Sequence, residues 1–313
     1  MPLAVETRWS NRTWTLFALM VLAWGFNYLF VVVGLRSAGP VWLATFRVGI
    51  GLAGMLVLVT LARGWGTLDP RGRRDAMLLG IPNTTLFFGL WFVAARSVPP
   101  GIASVVIYSF PFWVALLSAP VLGRPIGRTA WLAIVTGFAG VALISQSWTL
   151  LGPHLSIWPI VELLAASVSW AAGTVLFQRR FQAPEILSAS AYQLAGGFLG
   201  LLLILVATGV EPIPRFTPDF IASVLWLGLI GTAVAYAIWF TLLGHTPAAR
   251  ISAYLFLVPL VALTASVVLL GERLAWAQVA GVGLVLAAIY GIGRARLDSS
   301  APDGPPPRVP STE

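Results

Sequence analysis

Along this chain the apolar positions gather into stretches of about twenty residues, each bounded by turn residues or arginines, and that length is what a helix needs to cross the hydrocarbon core of a bilayer. The pattern predicts helices over 13–35, 40–62, 75–95, 100–122 and 129–147, then over 156–178, 187–209, 217–243, 250–270 and 275–293. The first follows Arg8 and Arg12 as a signal peptide would. Its apolar core of about 20 residues exceeds the roughly 7 to 15 of a signal segment, so it reads as a retained span. The tail over 297–313, rich in proline, serine and charge, has too little apolar surface to fold and reads as disordered and cytoplasmic.

Composition strengthens the membrane reading. Of 313 residues 58% are hydrophobic and 10% charged, against about a quarter charged in an ordinary globular chain, which excludes a water-soluble fold. The fold class expected is all-α integral membrane, with ten transmembrane helices. With no cysteine, disulfides, thiolate chemistry and cysteine-ligated metals are excluded. The net charge of +8 comes from arginine alone, since the chain has no lysine. Fourteen arginines fall on the side of the termini; Arg36, Arg96, Arg215 and Arg273 fall on the other, and Arg47 lies within a span. By the positive-inside rule both termini are expected in the cytoplasm. Nucleic acid is not an expected partner, because the basic residues sit in ones to threes between spans and form no face.

The chain also repeats itself. At a shift of 148 residues Gly80 meets Gly228, Thr84 meets Thr232, Phe88 meets Tyr236, Trp91 and Phe92 meet Trp239 and Phe240, and Pro111 meets Pro259. At a shift of 146, Trp24 meets Trp170, Arg47 meets Gln193 and Gly51 meets Gly197. Apolar composition alone would not align rare tryptophan, proline and glycine in order. Residues 13–147 and 156–293 are therefore read as two five-helix repeats. An odd number of crossings makes the second copy enter the bilayer from the opposite face, so the repeats are expected to be inverted. That arrangement suits alternating access around a midplane site, and it points to a transporter, with a small-molecule substrate and the lipid bilayer as its partners.

Several phrases carry a family resemblance. LAWGFNYLFVVVGLR from Leu22, PVWLATFRVGIGLAG from Pro40, the two Gly to Trp-Phe helices, and VPLVALTASVVLLGERLAWAQVAGVGLVLAAI from Val258 resemble the EamA-type ten-helix exporters of the drug/metabolite transporter superfamily. The resemblance covers about residues 13 to 293. It implies an inner-membrane carrier with a central cavity between its halves, exporting amino acids or other small metabolites, with no cofactor. The closing turn Gly271, Glu272, Arg273 matches the family pattern, whereas the first half has Gly123, Arg124, Pro125 and lacks the glutamate.

Two charges fall well inside spans, Arg47 and Glu162, each about 10 Å deep by helical rise. Holding a charge at the centre of a span costs about 2.5–3.5 kcal/mol on insertion scales, which marks both as candidates for binding solute or pairing with each other. Arg47 could instead snorkel to headgroups, and Glu162 could stand nearer the interface. Among polar and aromatic span residues, Trp24, Asn27, Asn83, Thr84, Tyr108, Ser109, Trp170, Thr174, Gln193, Tyr236, Ser252 and Tyr254 are candidates for the cavity wall, with helix-to-helix hydrogen bonding as the competing role. Pro111 and Pro259, read as mid-helix kinks, are candidate gates. No catalytic residues or metal ligands are expected, and no enzyme. A lipid-directed membrane enzyme would need clustered acids or histidines, and His154 and His245 lie in or near loops. A phosphorylated-sugar or nucleotide-sugar antiporter would call for several buried cations where this chain offers Arg47 alone.

Overall fold

The computed structural model describes residues 9–98, 100–123, 126–145, 157–208, 212–270 and 275–294. The tail over 297–313, the Gly271–Arg273 turn and Arg124 with Pro125 lie outside these residues. Among the described residues every regular element is helical. The order is α1 (Asn11–Gly34), α2 (Pro40–Leu61), α3 (Pro70–Ala94), α4 (Pro100–Ile107), α5 (Phe110–Leu122) and α6 (Arg128–Ser145). There follow α7 (Ile157–Arg180), α8 (Ile186–Thr208), α9 (Pro218–His245), α10 (Ala248–Tyr254), α11 (Leu257–Leu270) and α12 (Trp276–Arg294).

Among the described residues eight helical stretches are long and apolar enough to cross a membrane, and Ala248–Thr264 and Trp276–Ile292 are shorter apolar helices. Their outward faces carry large apolar side chains, among them Leu61, Leu132, Trp158, Leu203 and Val206. Water would penalise such a surface, and hydrocarbon is the solvent that fits it.

Local chemistry sets the ends. Asp69 accepts from the backbone N–H of Gly72 and Thr217 from that of Phe220, and each cap is followed by a proline, Pro70 or Pro218, whose missing N–H is harmless in a first turn. Both of the helices they start then widen into a π turn, over Ile81–Leu86 in α3 and Trp226–Val234 in α9. Pro82 accounts for the first, because it cannot donate to the α-helical ladder.

Two stretches expected as single helices are broken. The stretch over 100–122 interrupts at Tyr108–Ser109, separating α4 from α5, and that over 250–270 at Leu255–Phe256, separating α10 from α11. This corrects the placement of the two prolines. Pro111 is the second residue of α5 and Pro259 the third of α11, so each sits in the first turn of a restarted helix, where proline is tolerated, and not at a mid-helix kink.

Candidate functional site

Between the helices lies a cavity of about 390 Å³. Its walls come from α1 to α7 and from α9, α11 and α12. Ile144 and Ser145 end α6 and Gln278 begins α12, so the cavity reaches the end of the bundle that these residues occupy. The opposite end is closed. Trp9 packs against Trp14, Phe17 and Tyr254 with ring centroids 4.6, 5.2 and 5.1 Å away, and its indole donates to Thr246 Oγ1 at 3.0 Å. Gln178 donates to the carbonyls of Leu243 and Thr246 at 2.6 and 2.7 Å and accepts from the backbone of Ala248, tying α7 to the turn between α9 and α10.

Arg47 lies in the cavity wall. Its side chain is 2% exposed, so it does not snorkel to headgroups. Nε donates to Thr232 Oγ1 at 3.0 Å and Nη2 to the carbonyl of Gly231 at 3.2 Å, while Cζ stands 4.3 Å above the centre of the Phe88 ring. Turning the Asn27 amide so that its oxygen faces the guanidinium brings that oxygen 3.2 Å from Nη2 and its nitrogen 3.2 Å from the carbonyl of Ala23. Every one of these partners is neutral, and Nη1 has none among the described residues. The Gly231 carbonyl, placed in the π turn of α9, also accepts from the indole of Trp24 at 3.0 Å. Shifted hydrogen-bond ladders of this kind recur at functional sites.

Aromatic rings make up much of the remaining wall. Trp170 has Phe87 at 4.8 Å, Tyr236 at 5.5 Å and Trp24 at 6.3 Å between centroids. Tyr236 Oη is buried and has no partner among the described residues.

Of the residues singled out from sequence, the cavity brings together Arg47, Trp24, Asn27, Tyr108, Trp170, Tyr236 and Pro259. Pro111, Glu162, Asn83, Thr84, Gln193, Ser252 and Tyr254 are not in its wall. Glu162 is the sixth residue of α7 and partly exposed, and it makes no ion pair with Arg47. Tyr254 belongs to the closed end with Trp9. Ser109 is held at the α4–α5 break by Val106 O at 2.6 Å and Ser167 Oγ at 3.0 Å, a helix-joining role.

Asn83, Thr84, Thr174 and Gln193 are wholly buried in a second polar cluster, where Asn83 Nδ2 donates to Gln193 Oε1 at 2.8 Å. Asn83 Oδ1, Thr84 Oγ1, Thr174 Oγ1 and Gln193 Nε2 have no partner there.

Sequence reasoning passed over Phe87, Phe88, Trp91, Ser145 and Gln278, which also line the cavity. A signal existed for Phe88, since it falls on Tyr236 at the repeat shift, and none existed for Ser145 or Gln278, which are ordinary helix-end residues.

The EamA-like transporter family model matches residues 12–146 and again residues 157–294. The "Uncharacterized transporter YvbV" of Bacillus subtilis is 30% identical over 280 residues, covering 90% of this chain and 91% of its own. The "Probable amino-acid metabolite efflux pump" of Salmonella typhimurium is 30% identical over 292 residues, covering 90% of this chain and 94% of its own. A solved crystal structure, 20% identical, superposes with a TM-score of 0.77 over 90% of this chain and 98% of that one, a likeness of fold. A helical bundle with an apolar exterior and an internal cavity, matched twice by the same family along its length, is an integral membrane transporter, and this chain belongs to the EamA-like transporter family.

Proposed function

We propose that the protein is an inner-membrane exporter of small carboxylate-bearing metabolites, amino acids or their products, working by alternating access between two inverted five-helix repeats, 13–147 and 156–293. The observation that carries this reading is the cavity, reaching one end of the bundle, with a buried arginine in its wall and the far end tied shut. The name of the Salmonella relative, an amino-acid metabolite efflux pump, supports the cargo class.

Recurrence of the elements supports the repeat. α1 and α7 each have 24 residues and begin at Asn11 and Ile157, π turns fall in both α3 and α9, and breaks follow both α4 and α10. In this reading ten spans cross the membrane, the Ala248–Leu270 pair together making the ninth, and both termini are cytoplasmic.

The cavity then opens to the periplasm. Swapping the conformations of the two repeats would close it there and open the Trp9 end. Reporter fusions at Gly72 and Gly152 test the topology: the first should report cytoplasm and the second periplasm, and both on one side would reject inversion. Counterflow of amino acids and organic acids in liposomes tests the activity.

A further inference from the structure

Resting on the transporter reading, the chemistry of the cavity narrows the cargo. We propose that this site takes an organic monocarboxylate with a flat aromatic body and no ammonium group, a monoanion in preference to a zwitterion.

The charge of Arg47 has no counter-ion among the described residues. Its partners Thr232, Gly231 and Asn27 are neutral, and no carboxylate stands among the described residues of the wall. Glu162, the acid within a described span, stands outside the cavity. A buried, hydrogen-bonded cation left without an anion favours a solute that brings one. Two buried donors in this wall, Arg47 Nη1 and Tyr236 Oη, are unpartnered, and a carboxylate has two oxygens to accept from them.

The same inventory offers an ammonium no counter-charge among the described residues. Besides Arg47, the polar groups of the wall are Asn27, Tyr108, Tyr236, Ser145, Gln278 and the indoles of Trp24, Trp91 and Trp170, all neutral. An α-ammonium on a carboxylate held by Arg47 would lie roughly 6 Å from the guanidinium, and like charges at that separation and an effective dielectric of about 20 disfavour binding about a hundredfold. Aromatic faces can attract a cation, but the Phe88 face is already taken by Arg47. The walls formed by Trp24, Trp91, Trp170 and Phe87 instead match a flat apolar body, in a volume near the lower end for small-molecule sites.

The test uses four probes with one ring system: indole-3-propionate, its amide, tryptophan and tryptamine. Binding to purified full-length protein is measured by calorimetry and flux by counterflow in liposomes. Indole-3-propionate should bind at least about 30-fold more tightly than each of the others. In Arg47→Gln, which places there the residue found at position 193, the preference of acid over amide should fall to within about twofold, with thermal unfolding of the purified variant as the control for folding. Tyr236→Phe should weaken the acid about fivefold, and the amide by less, because a hydrogen bond to a charged acceptor is the stronger one.

Tryptophan binding as well as the propionate, tryptamine binding best, or no probe binding would each overturn this inference. In those cases continued counterflow of amino acids or aliphatic acids would leave the transporter reading standing. Failure of every solute to move would count against that reading itself.

Discussion

Two helix crossings in this bundle are built alike and differ in one charge. Where α2 meets α9, Gly51 lies against Thr232; where α8 meets α3, Gly197 lies against Thr84, and a Cβ at either glycine would come within 2.6 or 2.3 Å of the threonine. Each crossing also contains one asparagine packed on one glycine, but on opposite partners. Asn27 of α1 presses on Gly231 of α9, whereas Asn83 of α3 presses on Gly173 of α7. At the repeat shifts Asn27 corresponds to Gly173 and Gly231 to Asn83, so the bulky amide and the space for it have changed places. The packing solution is kept while the chemistry diverges. One crossing holds Arg47 at the cavity; the other holds Gln193, sealed away from it. A scaffold that needs two similar halves to exchange conformations constrains the small residues that let helices approach, and leaves free the polar residue that decides what is bound.

The comparison breaks most severely at Arg47. Arg47→Ala should lower transport by about 100-fold or more, since hydrogen bonds to a charged group contribute about 1.5–3 kcal/mol each, with the protein still inserted. Arg47→Lys should recover only part, because an ammonium cannot donate in the planar fork that reaches Thr232 and Gly231 together. Liposome flux checks both, and unchanged flux in Arg47→Ala would remove the arginine from the site.

Next in size is the asparagine exchange. Gly173→Asn alone should destabilise by about 1–3 kcal/mol through overpacking, because even a Cβ there falls 2.0 Å from Asn83 Oδ1. Gly173→Asn combined with Asn83→Gly reproduces the arrangement of the other crossing and should regain most of the loss. Thermal unfolding of the purified variants measures it, and a double variant worse than the single would show that the two crossings are not equivalent.

How far the sequence discloses these features depends on the scale at which each is encoded. Span length, the aligned tryptophans and the isolated Arg47 are written in residue type, so the helical class, the recurrence and the central cation can be read directly. Which side of a helix a buried amide faces is not. Asn83, Thr84 and Gln193 carry the same polar signal as Asn27, and their removal from the cavity follows from the packing of α3, α7 and α8 around Gly173 and Gly197. The breaks at Tyr108–Ser109 and Leu255–Phe256 are equally hidden, because both sides of each break are apolar and helical. Glu162 and Arg47 looked like partners from depth alone. Depth does not fix the azimuth of a side chain about its helix, and in the structure Arg47 lines the cavity while Glu162 stands outside it, partly exposed.

A smaller effect is expected on the sealed side. Gln193→Leu removes the bond to Asn83 and should cost about 1 kcal/mol of stability. Its effect on solute KM should stay under about threefold, since position 193 does not reach the cavity. A larger rise in KM would make both crossings part of the binding surface. Smallest is the exposed pair of Asp75 with Arg180, 2.9 Å apart, where Asp75→Asn should change stability by less than about 1 kcal/mol, as measured by thermal unfolding.

The exchange of conformation between the halves is the central claim, and the absence of cysteine from the chain makes it directly measurable. Single cysteines would be placed at Ser145, in the cavity wall, and at Ala249, 5% exposed at the closed end, and their rates of maleimide labelling followed in liposomes as transported solute is added. The account predicts opposite responses: the cysteine at 145 reacts rapidly without solute and slows during turnover, while that at 249 starts slow and quickens. Rates that rise together, or that stay fixed while solute is being carried, would contradict it.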